Sequence, residues 1–189
     1  LKDFSQKFSD RFYDVGIAEE HAVTFASGLA KGGIIPVVAL YSTFLQRAYD
    51  QLVHDGTLQE QKVIIGVDRA GFVGEDGVTH QGLLDVSLVN SVPGATIYSP
   101  FTFEVLRKDL RNAVKDASNL TVIRYPRGGE TIIPSTYNIT DNDFDYFDNT
   151  SSKLIITYGR VTAEVANAVE QLKNKDIYIS IISLNKIKP

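Results

Sequence analysis

IPVVALYSTFLQRAYDQLVHDGTLQEQKVIIGV, residues 35–67, places two apolar runs (35–40 and 63–67) on either side of a segment with helical spacing. In that segment Leu45, Ala48, Tyr49 and Leu52 recur about one turn apart and share a face. The flanking runs are apolar nearly throughout, as strands buried on both sides are. Strand, helix and strand in that order predict a right-handed βαβ unit with parallel strands.

The alternation extends in both directions. Further short runs lie at 12–15, 95–98 and 120–124. Helical faces are carried by Ala22, Ala26, Leu29 and Ala30, and by Leu106, Leu110, Ala113 and Val114. The expected class is α/β, a doubly wound and mostly parallel sheet with helices on both faces. Ligands of such sheets bind beyond the carboxyl ends of the strands, so the loops there are the places to seek chemistry.

Residues 136–152 are polar and locally acidic and predict a linker. Asp141, Asp143 and Asp145 imitate the start of a calcium loop, but Tyr146 stands where glycine is needed and Ser152 where glutamate is needed. The Asn-x-Ser/Thr triplets at Asn119, Asn138 and Asn149 carry meaning only in a secreted protein. The α/β pattern then restarts: a strand at 153–158, a helix marked by Val161, Val165, Val169 and Leu172, and a strand at 177–184. One such unit cannot bury both faces of its sheet. The expected division is a first domain over 1–135, a linker over 136–152 and the incomplete start of a second domain over 153–189. With no Met among its 189 residues, the chain reads as a piece of something longer.

Composition narrows the function classes. A net charge of −4 argues against nucleic acid as a partner. The absence of Cys excludes disulfides, thiolate metal sites and cysteine nucleophiles. No apolar run reaches the roughly 18–20 residues of a membrane span. The expected compartment is the cytoplasm, with a plastid left open.

Four loops carry candidate chemistry. In Gly16-Ile17-Ala18-Glu19-Glu20-His21, Glu20 suits the positive end of a helix dipole. Glu19 is expected at a strand's carboxyl end, where a buried carboxyl has a raised pKa and can share a proton with a ligand nitrogen. In the loop after 35–40, Tyr41 and Phe44 offer rings to a flat heterocycle, Ser42 or Thr43 can cap the next helix, and Arg47 can hold an anion or pair with an acid. The third loop, residues 68–82, has four glycines among Asp68, Arg69, Glu75, Asp76, His80 and Gln81. Its spacing fits neither the dinucleotide fingerprint nor the P-loop, and its polar density marks a binding loop. In Tyr125-Pro126-Arg127-Gly128-Gly129, Arg127 is placed for a bidentate grip on phosphate or carboxylate.

Together these loops resemble one family, the 1-deoxy-D-xylulose-5-phosphate synthases, thiamine-diphosphate enzymes of the transketolase superfamily. The stretches that carry the resemblance to their central pyrimidine-binding domain are RFYDVGIAEEHAVTFASGLA (11–30), PVVALYSTFLQRAYDQLVHD (36–55), DRAGFVGEDGVTHQG (68–82) and YPRG (125–128), in family order. Residues 153–189 resemble the opening of the family's C-terminal domain. The resemblance implies that Glu19 contacts N1′ of the aminopyrimidine, that Phe44 stacks on that ring with Tyr41 at its edge, and that Arg47 lies close by. It implies that Arg69 and Arg127 hold the substrate phosphate, and that Asp76 and His80 lie at the substrate end. Glu19 and His80 would be the catalytic pair, the imidazole's ordinary pKa of about 6.5 suiting either proton transfer or hydrogen bonding to substrate oxygens. Glu20 departs from the family's usual Gln, and Gly56 from a more usual apolar residue.

The implied reaction joins pyruvate, with loss of carbon dioxide, to glyceraldehyde 3-phosphate. Its product feeds isoprenoid, thiamine and pyridoxal precursors. Magnesium and the cofactor's diphosphate would be held by a separate N-terminal domain with a Gly-Asp-Gly motif, which these 189 residues lack. The chain alone is therefore expected to be inactive, and the whole protein to be a homodimer. The alternatives are the C-terminal subunit of a split transketolase and a noncatalytic module on the same fold. A generic dinucleotide-binding domain is weakened by the lack of a Gly-rich turn after the first run.

Overall fold

The computed structural model describes residues 1–140, 142–147 and 151–189. Four parallel strands, β1 (Val37–Tyr41), β2 (Ile64–Asp68), β3 (Thr96–Tyr98) and β4 (Thr121–Arg124), form a sheet in the order β1-β2-β4-β3. Val63, Ile64, Ile65 and Val67 are fully buried, which accounts for the unbroken apolar character of the β2 run. Register sets Tyr41 of β1 beside Asp68 of β2, and Val67 beside Arg124 of β4. Three loops therefore leave the same edge of the sheet side by side.

The main core joins β1, β2, β4 and β3 to helix α2 (Glu19–Lys31) through Val23, Ala26, Leu45, Leu52, Val89, Ile97 and Val122. Short helix α1 (Lys2–Lys7) precedes it. The predicted helix over 45–52 is present but irregular: 3-10 turns over Ser42–Ala48, one α turn, α3 (Tyr49–Gln51), and π turns over Leu52–Thr57. Mid-helix departures of this kind re-aim side chains and cluster at functional sites. Leu45, Ala48 and Leu52 remain on the buried face, while Tyr49 is exposed. Helices α4 (Asp85–Asn90) and α5 (Phe103–Asp116) complete the cover. Lysines close two helix ends: Lys62 Nζ donates to Val114 O at 2.6 Å, and Lys188 Nζ to Asn90 O at 2.9 Å.

Three expectations are corrected. Residues 12–15 do not join the sheet. Asp14 Oδ1 accepts from the Gly16 amide at 2.9 Å, and the Tyr13 ring packs edge-on against Phe25 of α2 at 5.3 Å, so the segment lies on a helix flank. The face of α5 is turned from the expected one. Val105, Asp109 and Ala113 are buried, whereas Leu110 and Val114 stay about 40% exposed. The polar stretch 136–152 is not only a connection, because β5 (Phe144–Phe147) pairs antiparallel with β7 (Ser180–Leu184).

The second sheet has the order β5-β7-β6, with β6 (Leu154–Tyr158) parallel to β7 and helix α6 (Val161–Lys173) as the crossover, as the pattern predicts. The last strand, β8 (Lys186–Lys188), returns to the first sheet as an antiparallel edge on β3. Asp143 and Asp145 serve structure: Asp143 O accepts from the Asn185 and Lys186 amides, and buried Asp145 accepts from Thr140 N at 2.9 Å. Asp141 and Asn149 lie outside the described residues. Among the described residues no helix is long and apolar enough to cross a membrane.

Candidate active site

Glu19 opens α2 and is 7% exposed. Its Oε2 accepts from Arg47 Nη1 at 3.0 Å. The expected strand before it is absent, so it is the helix start that turns this side chain inward. Glu20 is exposed on the same turn. His21 stacks on Phe25 of its own helix, with ring centroids 5.9 Å apart.

Arg47 continues the site. Its guanidinium carbon lies 4.6 Å from the centre of the Phe44 ring. Phe44 stacks near-parallel on Tyr41 at 5.9 Å and meets the His80 ring edge-on at 5.3 Å. The Arg69 guanidinium lies over the Tyr41 ring at 3.7 Å. Arg69 also donates from Nη1 to Asp68 Oδ2 at 2.7 Å and from Nε to Asp76 Oδ2 at 2.8 Å. Burial works against the Arg69 charge, but Asp76, Asp68 and Tyr41 outweigh it and hold its pKa above the ordinary value. The other oxygen of Asp76 accepts from Arg127 Nη1, and Arg127 Nη2 reaches Glu75 Oε2 at 3.1 Å. One carboxylate thus bridges two arginines from different loops.

The third loop is built to hold this arrangement. Arg69 itself has φ 61°, a left-handed conformation uncommon for a residue with a side chain, and its amide donates to Asp68 Oδ1 at 2.7 Å. Gly71 and Gly82 exchange amide–carbonyl bonds of 2.8 Å, closing the loop at its base. A Cβ on Gly82 would land on the Arg69 carbonyl and 2.7 Å from Ser42 Oγ. Gln81 spans the interior. It accepts from Val73 N at 2.7 Å and donates to Val73 O and Gly77 O at 2.8 and 2.7 Å. His80 Nδ1 lies 2.8 Å from Thr79 Oγ1. Beside the loop, burial and then Asp68 push the Tyr125 phenol up to about 12, partly opposed by Arg69.

All eight residues expected in the site are thereby joined in one contact series: Glu19, Arg47, Phe44 and Tyr41 with His80, then Arg69, Asp76 and Arg127. Sequence reasoning missed the partners Asp68 and Glu75 as acids that fix the arginines, and Gln81 as the loop's internal brace. A strand-end Asp next to an Arg was the only signal available. Among the described residues no cluster of His, Asp or Glu could hold a metal ion.

The fold and the loops at its carboxyl edge define the class. The family model described as the transketolase pyrimidine binding domain matches residues 1–129, and the chain belongs to that family. Over its whole length the chain is 42% identical to the 1-deoxy-D-xylulose-5-phosphate synthase of Clostridium tetani, of which it covers 31%. Identity is also 42% to the protein of that name from Syntrophus aciditrophicus, of which it covers 29%. The chain thus spans about three-tenths of the length of these curated relatives. A split gene transketolase, solved as an inactive beta4 tetramer, superposes with a TM-score of 0.82 over 97% of this chain and 60% of the other, at 23% identity. That likeness shows the fold.

Proposed function

We propose that this chain is the pyrimidine-binding part of a thiamine-diphosphate-dependent 1-deoxy-D-xylulose-5-phosphate synthase, acting on pyruvate and glyceraldehyde 3-phosphate. The observation that carries the reading is the contact series from Glu19 to Arg127. It runs from a buried carboxylate and aromatic faces at one end to paired arginines at the other. The names of the relatives that match the full chain support it.

The residues fit the cofactor's flat end. A planar, N–H-bearing group already lies on the Phe44 face and donates to Glu19, namely the Arg47 guanidinium. An aminopyrimidine asks for the same two partners. When bound, thiamine diphosphate supplies the electron sink for decarboxylation. Glu19 would share a proton between its carboxyl and the ring nitrogen N1′, which sets the tautomer of the neighbouring amino group. Phe44 and Tyr41 would orient the ring and exclude water from one face. Arg69 and Arg127 would hold the phosphate of the aldehyde, converting remote binding energy into alignment of the reacting carbon. His80 would exchange a proton with substrate oxygens or hydrogen-bond to them. The domain division at 135 and 152, a homodimer, a cytoplasmic location and a magnesium site on another domain belong to the same proposal. So does the inactivity of residues 1–189 by themselves.

The second reading is the sequence's own alternative, the C-terminal subunit of a split transketolase, with ketol transfer between sugar phosphates. The test is product analysis with the full-length protein. Pyruvate and glyceraldehyde 3-phosphate giving carbon dioxide and a 1-deoxy-ketose phosphate supports the proposal. Ketol transfer without pyruvate consumption overturns it in favour of the second reading, and tolerance of Glu19→Ala favours a noncatalytic module.

A further inference from the structure

Arg124 is the last residue of β4 and is 7% exposed, in a strand whose other residues are all buried. Its guanidinium grips Asp85 at the start of α4 with two bonds, Nε to Oδ2 at 2.7 Å and Nη2 to Oδ1 at 3.2 Å. Nη1 donates to Ser99 Oγ at 3.1 Å. The Tyr158 ring of the second unit lies 5.4 Å from the guanidinium carbon. The next residue, Gly159, has φ 62°, and a Cβ there would meet Ser99 Oγ at 2.8 Å and Arg124 Nη1 at 3.6 Å. Arg160 then donates from Nη1 to the carbonyl of Arg127 at 3.2 Å.

Two consecutive features of the 158–160 turn therefore seat on two positions of one short segment, Arg124 and Arg127. Only Tyr125 and Pro126 separate those positions, and Pro126 has a fixed φ. A buried ion pair of this kind contributes little net stability against an apolar replacement, and here it ties the end of β4 to the start of α4. We infer that Arg124 is a positioning residue: with Asp85, Ser99 and the 158–160 turn it registers the second unit against the end of β4, and so sets where Arg127 presents its guanidinium. The second unit would thus tune recognition of the substrate's anionic end without touching it. The inference rests on the phosphate role proposed for Arg127.

The test uses the full-length protein and two acceptors, glyceraldehyde 3-phosphate and unphosphorylated glyceraldehyde. Misplacement of a clamp by about 1 Å can cost on the order of a hundredfold. Arg124→Lys should raise KM for the phosphorylated acceptor by about tenfold, with kcat and the KM for pyruvate within about twofold. The KM for the unphosphorylated aldehyde should not move. Arg160→Ala, an exposed change that leaves the buried pair intact, should act in the same direction by about two- to fivefold. It keeps the inference testable where Arg124→Lys fails to fold. Equal effects on both aldehydes, or no effect of either variant, overturn the inference. Arg127→Ala is the reference. If it separates the two aldehydes and neither Arg124→Lys nor Arg160→Ala does, only this inference fails. If Arg127→Ala does not separate them, the phosphate role of Arg127 fails and the inference falls with it.

Discussion

Replacing Glu19 by Gln separates chemistry from folding. The side chain is 9% exposed and its cationic partner Arg47 is 43% exposed, with the pair at 3.0 Å. An ion pair with one half-solvated member contributes about 0–1 kcal/mol. Gln keeps the shape and one acceptor oxygen for Arg47, so the stability loss should stay below about 1 kcal/mol, a few degrees in Tm at most. The chemical loss is of a different order. A positioned acid–base partner contributes about 10²–10⁴-fold in rate. That corresponds to about 3–5 kcal/mol of barrier. The assay is carbon dioxide release from pyruvate with glyceraldehyde 3-phosphate by the full-length protein, alongside thermal denaturation and calorimetric titration with thiamine diphosphate. The expected result is a folded variant with turnover reduced by about 10²-fold or more. A variant that keeps more than about a tenth of the turnover would refute the proton-sharing role, because the loss would lie below the range for such a partner.

Other regions yield further tests. The Tyr125 phenol, raised from 10.0 to about 12, favours the neutral form in the fold, so its contribution is complete below pH 10 and is lost as pH rises through about 12. That is about 2–3 kcal/mol of alkaline sensitivity. Tyrosinate absorbance titration should show a late-ionising group that Tyr125→Phe removes; ionisation of every tyrosine near pH 10 contradicts it. Gly82→Ala puts a methyl group onto the Arg69 carbonyl and should disrupt the 68–82 loop. Protease nicking within the loop should rise sharply, and unchanged resistance would mean that the loop base is not closed as described. Asp85→Ala leaves the Arg124 charge buried and should cost about 3–5 kcal/mol in denaturant unfolding, whereas an Asp85→Leu/Arg124→Met pair should recover most of it. Additive losses in the double variant would show that the two side chains are not coupled.

The parts of the fold legible in the sequence are those where one local rule suffices. β2 is readable because four apolar residues in the five positions 63–67 have nowhere to go but a doubly covered strand. Glu19, Tyr41, Phe44, Arg69 and Arg127 are readable as candidate site residues because they fall in loops at the carboxyl edge or at a helix start. Residues 12–15 are misread because Asp14 takes the Gly16 amide and Tyr13 finds Phe25, contacts that local apolar content does not reveal. The turned face of α5 has a similar cause. Buried Asp109 looks like a solvent position until Asn185, 76 residues away, supplies a donor to its Oδ1 at 3.1 Å. Arg124 did carry a signal, since a charged residue in an apolar strand requires a buried partner. Which acid answers it is a property of the assembled layers, because Asp85 reads equally well as an ordinary first-turn helix residue.

The charges of the site show why its arginines can be in position before any ligand arrives. Arg69 and Arg127 come from loops that follow different strands, and two guanidinium groups held close together repel. Asp76 removes that obstacle by giving one oxygen to each, while Asp68 and Glu75 hold the outer sides. The three arginines Arg47, Arg69 and Arg127 thus face four carboxylates, Glu19, Asp68, Asp76 and Glu75. On the reading proposed above, a phosphate would compete with these carboxylates for the guanidinium N–H donors. Glu75 is the most exposed of the four side chains, at 82%, and reaches one arginine, whereas Asp76 is 18% exposed and bridges both. A phosphate brings more charge and more acceptor oxygens than a carboxylate, so on that reading Glu75 would yield first while Asp76 keeps the two guanidinium groups spaced and Asp68 holds the outer side of Arg69.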